Sequence, residues 1–312
     1  MRLGIGLAAL GRPGYITLDH DAAFGGDRSV AAMRDRTARV LDAAYAAGIR
    51  HVDAARSYGH AETFLREWLQ GRPAYDDVVV SSKWGHTYVA DWQVHADRHE
   101  VKDHSVAAFR RQWPETRALL GDRVRLYQVH SVTPESTVLG DRELLGELGR
   151  LREQGVQVGL STSGAHQLPV VRAALEVEVD GVALFSSVQA TWNLMEPSVG
   201  PALADAAAAG WRVIVKEVLA NGRLAGVTAP EQLRAAASRA GTSADALAVA
   251  AALALPASPT VLLGAVTVDQ LAGNLGALDV DPAVVANDAR GLDRLAEPAD
   301  VYWKERSALV WH

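Results

Sequence analysis

The feature that most constrains this chain is a regular alternation of short apolar runs with longer amphipathic stretches, sustained over nearly its whole length. The strand-like runs are Leu3–Leu7, His51–Ala54, Asp77–Ser82, Arg125–Val129, Val156–Leu160, Val182–Ser186, Arg212–Lys216 and Thr260–Gly264. Rich in Val, Ile and Leu with little polar alternation, they suit parallel strands covered on both faces. Helical periodicity fills the intervals: Arg34–Ala47, Ala61–Gln70, His104–Leu120, Asp141–Gln154, Gln167–Val177, Val199–Ala209, Pro230–Ala240 and Ala244–Leu255. Gly48, Gly155, Gly210 and Gly241 each stand just past a helical stretch, where a left-handed C-cap favours glycine. Eight β segments separated by helices predict an α/β chain folded as a single-domain (β/α)8 TIM barrel. The structural rival is a doubly wound sheet, but Gly4, Gly6 and Gly11 miss the spacing G-x-G-x-x-G. No stretch reads as a linker. Trp84–Asp103, rich in aromatic residues and His, reads as a functional loop.

With 312 residues the chain is long enough for one large domain or two ordinary ones. Its 49% hydrophobic content excludes a disordered chain, because burial of that much apolar surface offsets the ordering entropy. The balance of 31 basic and 37 acidic residues, net −6, argues against a nucleic-acid partner. Cysteine is absent, which excludes disulfides, thiol nucleophiles and Cys-ligated metal sites. No apolar run approaches the roughly 18–20 residues of a membrane span. Met1–Leu10 runs straight into Gly11-Arg12-Pro13-Gly14 and reads as a buried first strand rather than a leader. The expectation is a cytoplasmic protein with no membrane partner; the oligomeric state is not legible.

In a barrel of this kind the active site lies at the C-terminal strand ends. Three successive ends carry reactive groups: Asp53, with Tyr58 in the loop beyond it, then Lys83, then His130. Core packing does not call for these types there, and a Lys83–Asp53 pair would offset part of the cost of burying each charge. A phenol beside a buried ammonium ion is expected to have its pKa lowered, and a neutral imidazole opposite can orient a carbonyl oxygen. Such a set suits protonation of a carbonyl oxygen as hydride reaches its carbon. A cofactor must supply that hydride, since no side chain does.

The motifs His51-Val52-Asp53-Ala54-Ala55-Arg56-Ser57-Tyr58-Gly59 with Glu62, Ser81-Ser82-Lys83-Trp84-Gly85 and Leu126-Tyr127-Gln128-Val129-His130 are followed in order by three more. These are Gly159-Leu160-Ser161, Gln189-Ala190-Thr191-Trp192-Asn193-Leu194, and Gly264 through Gln270 to Asn274. Together they resemble the aldo-keto reductase superfamily, from the first strand to the last helix. The resemblance implies an NADPH-dependent reductase (NADH possible) of aldehydes or ketones. Asp53, Tyr58, Lys83 and His130 match the catalytic tetrad, with Tyr58 as proton donor, and Ser161 and Gln189 match residues that hold the nicotinamide carboxamide. Cofactor contacts are further expected from Thr162, Trp192, Lys216, Glu217, Leu219, Asn221, Arg223, Gly264, Thr267, Gln270 and Asn274. Substrate contacts are expected from Trp84, Tyr88, Trp92 and Trp303, and the tail from about residue 295 to 312 is expected near the barrel mouth.

The sequence departs from the family pattern in three places. Thr162 stands where the family usually has Asn. Lys216-Glu217 stands where many members place an aromatic residue against the nicotinamide, and reads as a salt bridge or a ligand contact. The stretch Gly264–Gln270 holds no cation for a 2′-phosphate and includes Asp269, with Arg223 as the substitute from another loop. His95, His99 and His104 have spacings of four and five but no HExxH pattern, so they read as loop and helix-start residues and no metal is expected. The alternative function is a barrel that binds the nucleotide in a regulatory or non-redox role with little turnover, as fold alone never guarantees activity.

Overall fold

The structure is a computed structural model that describes residues 1–18 and 26–312. Among the described residues, eight parallel strands close a barrel: β1 (Leu3–Gly6), β2 (His51–Asp53), β3 (Val79–Trp84), β4 (Val124–Val132), β5 (Gln157–Thr162), β6 (Ser187–Thr191), β7 (Arg212–Lys216) and β8 (Thr260–Leu263). Each pairs with its sequence neighbour. The ring shuts where β1 sits between β8 and β2, Ile5 opposite both Leu263 and Val52. Closure excludes the doubly wound alternative. The chain is one (β/α)8 barrel, as the alternation predicts.

The helices that matter for the site are α1 (Val30–Ala46), α2 (Ala61–Gln70), α3 (Val106–Leu120), α4 (Arg142–Glu153), α5 (Gln167–Leu175), α6 (Gly200–Ala208), α7 (Glu231–Arg239), α8 (Ala244–Leu253), α9 (Val268–Leu275), α10 (Pro282–Leu292) and α11 (Ala299–Ser307). Ser29, Ser105, Asp141, Ser243 and Thr267 cap α1, α3, α4, α8 and α9, each side chain accepting from a backbone N–H of the first turn. Gly48, Gly155, Gly210 and Gly241 have φ of 90°, 85°, 80° and 65°, the left-handed conformation expected of them. No helix among the described residues is long and apolar enough to cross a membrane.

The interior of the barrel is polar. Asp53 is bonded from Ser81 and Lys83 on β3, Gln128 on β4 and Gln189 on β6, which is possible only inside the ring. By the two-residue period of a strand, Val52, Val80, Val129 and Val188 then face the helices, where the main core lies. A small apolar layer of Leu126, Ile214 and Leu262 fills the interior below the polar one. This alternation explains one misplaced strand. The expected sixth strand, Val182–Ser186, is instead a connection: Val182–Ala183 forms a two-residue antiparallel pairing with Glu178–Val179. The true β6 carries the buried Ser187, Gln189 and Thr191. Its inward polar residues dilute the apolar signal, while the exposed Val182 mimics it. Trp84–Asp103, expected as an irregular loop, contains an antiparallel hairpin of His86–Tyr88 with Glu100–Lys102.

The loop after β1 is seated tightly against the loop after β2. A Cβ on Gly11 would lie 2.3 Å from the backbone oxygen of Tyr58 and 2.5 Å from the Ala61 Cβ. Gly11→Ala therefore has to push these loops apart. It is expected to destabilise the protein by about 1–3 kcal/mol, a drop of several degrees in Tm in a thermal melt.

Candidate active site

The tetrad side chains come from β2, the loop beyond it, β3 and β4. Lys83 is fully buried, and its Nζ pairs with the Asp53 carboxylate, donates to the Ala54 carbonyl at 3.0 Å and reaches the Tyr58 hydroxyl at 3.4 Å. The other Asp53 oxygen accepts from Ser81 Oγ at 2.7 Å and from the amides of Gln189 at 3.0 Å and Gln128 at 3.4 Å. Both charges are thus saturated with partners, the condition under which a buried pair is tolerated. Tyr58 Oη lies 3.5 Å from His130 Nε2, with the rings edge to face. The backbone carbonyl of His130 accepts from His104 Nε2 at 2.7 Å, and the His86 ring packs 4.6 Å from the His130 ring. Burial, with the positive charges of Lys83, Lys216 and Arg12 nearby, holds the His130 pKa well below the usual histidine value. This favours the neutral form of the imidazole.

The phenol behaves otherwise than expected. Burial raises the Tyr58 pKa well above its ordinary value and the Asp53 charge adds to this, while Arg12 pulls it down. Lys83 lies 3.4 Å from the hydroxyl with its charge paired to Asp53, and its pull towards the phenolate is outweighed by burial and the Asp53 charge.

A cavity of about 600 Å³ opens over this floor. Over the floor it is lined by Asp53, Tyr58, His130, Gln189, Arg12 and Glu100, and farther along by Lys216, Glu217, Leu219 and Asn221. Gly264, Gln270, Asn274 and Asp245 line the far end. Lys216 donates to Thr191 Oγ1 at 2.6 Å and pairs with Glu217 at 3.4 Å, so the salt bridge, one of the two readings of this pair, is present. It is larger than expected, because Arg306 on α11 grips the same carboxylate, its Nε donating at 2.7 Å. Burial alone would raise the Glu217 pKa, but Arg306 and Lys216 bring it down to about 2. Glu217 has a φ of 56°, a left-handed conformation that these ion pairs hold in place. The tail reaches the mouth as well: Trp311 lines the cavity, stacks on His99 at 3.8 Å, and His312 and Tyr15 exchange backbone hydrogen bonds.

Several expected contacts lie elsewhere. Trp84 points away from the cavity into the layer beneath α3, edge-on to Phe109 and His104. Trp92 packs on His60 and Phe64 and donates to the Arg28 carbonyl at 2.8 Å. Tyr88 sits in the hairpin and Trp303 lies beside Lys216 and Arg306; neither lines the cavity. Outward register explains Trp84, and the pull of other aromatic or cationic partners explains Trp92 and Trp303. Trp192 is buried beside Gly200 and leaves no stacking face in the cavity. Ser161 Oγ accepts from the Ser131 N–H at 2.8 Å, and Thr162 donates to Gln167 at 3.1 Å, so both are engaged in the wall. Thr267 is spent capping α9, and Arg223 pairs with Glu297 and Glu305 away from the cavity. Sequence reading missed Arg12, Glu100, His86 and Arg306 among the residues around the tetrad. The one signal for Arg12 was a lone cation in the Gly-Pro-rich turn after the first strand.

With the geometry in place, the chain can be compared with known proteins. The Aldo/keto reductase family model matches residues 3–295, and the chain belongs to that family, whose members are oxidoreductases of carbonyl and alcohol groups. A curated relative, aldo-keto reductase str7 of Strobilurus tenacellus, is 27% identical over 182 residues, 56% of this chain and 46% of that one. The match thus spans about half the length of that relative. Among solved structures, the holo form of aldo-keto reductase AKR11C1 from Bacillus halodurans superposes with a TM-score of 0.70 at 21% identity, covering 96% of this chain and 93% of that one. The glycerol dehydrogenase AKR11B4 from Gluconobacter oxydans gives 0.68 at 21% identity, covering 94% and 90%. These two likenesses establish the fold.

The histidines around the site make acid stability a readable quantity. Burial, the largest cause in each case, lowers the pKa values of His51, His86 and His104 from 6.5 to about 4. As pH falls below 6.5 the unfolded chain binds these protons and the folded chain does not, so stability declines between about 6.5 and 4. Tm should fall steadily across that window, with a shallower slope in His51→Gln. A flat Tm there would contradict neutral buried histidines.

Proposed function

We propose that the protein reduces an aldehyde or ketone to an alcohol with a nicotinamide dinucleotide, Tyr58 giving the proton. The observation that carries this reading is the meeting of Tyr58 Oη with Lys83 Nζ at 3.4 Å and His130 Nε2 at 3.5 Å on the floor of a cavity. The chemistry of the lining fits a dinucleotide in outline. Nothing lies within 4 Å of the Cβ position of Gly264, so a ligand can approach its backbone closely, and the buried Asn221 Oδ1 has no partner. Gln189, Asn221, Gly264, Gln270 and Asn274 would hold the cofactor, which when bound supplies the hydride.

The chain's own residues do the rest. A neutral His130 hydrogen-bonds the substrate oxygen and orients it. The raised Tyr58 pKa keeps the phenol protonated at neutral pH, ready to give its proton as negative charge builds on that oxygen. The phenolate left behind faces the Lys83 ammonium, an interaction strongest after transfer has begun and therefore weighted towards the transition state. The pairing with Arg306 gives Lys216-Glu217, a departure from the family pattern, an anchoring task.

Tyr58→Phe is expected to slow single-turnover hydride transfer to a probe aldehyde such as nitrobenzaldehyde by about a hundred- to ten-thousand-fold, with cofactor affinity nearly unchanged. Lys83→Met should be similarly damaging. Near-native transfer in Tyr58→Phe would assign the proton to another group.

The family expectation for the cofactor is NADPH, but the far end of the cavity favours NADH as a second reading. Asp245 lines that end, its carboxylate accepting from Asn274 at 3.2 Å, and the lining cations Arg12, Lys216 and Arg306 belong to the catalytic end and the mouth. A carboxylate suits a ribose diol and repels a 2′-phosphate. In fluorescence titrations NADH should bind at least as tightly as NADPH. Asp245→Asn should tighten NADPH and weaken NADH, each several-fold, and a strong NADPH preference in the native protein would sink this reading.

A further inference from the structure

We infer that the Arg12–Glu100 ion pair positions Tyr58 and sets the charge its phenol faces, Arg12 favouring the phenolate and Glu100 opposing it. This rests on the reading of Tyr58 as proton donor. Arg12 is almost completely buried in the turn after β1, in neither a strand nor a helix, a costly place for a guanidinium. Three acceptors hold it there: the Ala8 carbonyl at 3.1 Å, the Ser57 carbonyl at 3.4 Å and the Glu100 carboxylate on the hairpin. Ser57 immediately precedes the catalytic tyrosine, so the contact ties the backbone that carries the phenol to the first loop. His60 N–H reinforces the tie by donating to the Gly11 carbonyl at 2.7 Å. From this anchorage the guanidinium faces the Tyr58 ring, 5.1 Å from its centroid, with Tyr15 at 5.3 Å and Trp311 at 4.8 Å around it.

The other charged and titratable groups facing Tyr58 are Asp53 on β2, Lys83 on β3, His130 on β4, Glu217 after β7 and Tyr15 in the first loop. Asp53 is matched by Lys83, and Glu217 by Lys216 and Arg306. Arg12 and Glu100 remain as an opposed pair whose two members act on the phenol with opposite sign, and the raised Tyr58 pKa contains both contributions in those directions. Removing one member or the other must therefore move the phenol's titration in opposite directions. A pair that only braced the loops would not do this.

The test is the pH dependence of kcat for reduction of nitrobenzaldehyde by the loaded enzyme, together with difference titration of the phenolate absorbance against Tyr58→Phe. Arg12→Met should move the alkaline limb and the phenolate titration to higher pH by on the order of one unit, tenfold in proton affinity, with a several-fold loss of kcat at neutral pH. Arg12→Lys keeps the charge and should restore most of both. Glu100→Gln should move them to lower pH. Shifts in the same direction, or a rise in KM with an unmoved titration, would overturn the inference and make Arg12 a bracing residue or a substrate contact. If Arg12→Met does not fold, the direction of the Glu100→Gln shift decides alone. An alkaline limb that persists in Tyr58→Phe would instead remove Tyr58 as the donor, which separates failure of that reading from failure of this one.

Discussion

The arrangement at the centre of the barrel depends on one buried ion pair. Lys83 and Asp53 are both withdrawn from water, and each ion left alone there would cost several kcal/mol. The barrel meets that cost by converging neutral donors and acceptors on the pair: Ser81, Gln128 and Gln189 on the carboxylate, the Ala54 carbonyl on the ammonium. These partners come from β2, β3, β4 and β6 and its flanking backbone, so satisfying the pair fixes which residues of four strands face inwards. A one-residue slip in any of them would place valine against the charges and a polar side chain against the helices. The cavity floor and the strand register are thus one constraint seen twice.

Above that floor, charge is handled by a second tier that the loops supply. Arg12 pairs with Glu100, Lys216 and Arg306 share Glu217, and Arg223 is held between Glu297 and Glu305. Arg12, Arg306 and Arg223 each find a carboxylate on a different segment, so these pairs double as ties, while Lys216 pairs with its own chain neighbour. Glu217 joins the end of β7 to α11, and Asn193, bonded to both the Glu217 carbonyl and the Tyr302 hydroxyl at 3.0 Å, joins β6 to the same helix. The late part of the chain is therefore seated against the site by polar contacts, where the helices around the barrel are seated by apolar ones.

The same division explains what could be read from the sequence. The closed barrel was legible because its strands carry outward Val, Ile or Leu, and the helices between them end at left-handed glycines such as Gly48 and Gly155. The four candidate residues were legible because titratable side chains at three strand ends stand out against that background. The β6 strand was misread because its inward Ser187 and Gln189 serve Asp53 and the interior rather than the apolar core. Trp84 and Trp92 were misread because an aromatic residue near a site looks the same in sequence whether it faces the ligand or the helices; only register and neighbours decide. Arg12 and Glu100 lie in segments widely separated along the chain, as do Glu217 and Arg306, and no local pattern announces that either pair meets.

The phenol's pKa is where the local argument and the folded geometry part, and the difference bears on the chemistry. A tyrosine beside a lysine was expected to be acidic, yet burial and Asp53 make Tyr58 a weaker acid than a free phenol. On the proposed reading this is no obstacle. The acceptor is an oxygen becoming an alkoxide, a far stronger base than a phenolate, so transfer runs downhill even from a raised pKa. A raised pKa also keeps the proton in place until hydride arrives. What the site then has to stabilise is the phenolate, at the moment it forms, and the charges already fixed within reach are Lys83 at 3.4 Å from the oxygen and Arg12 across the ring. Because burial holds them in position, neither has to reorganise as charge develops, which is the condition under which fixed charges lower a barrier rather than merely tighten binding.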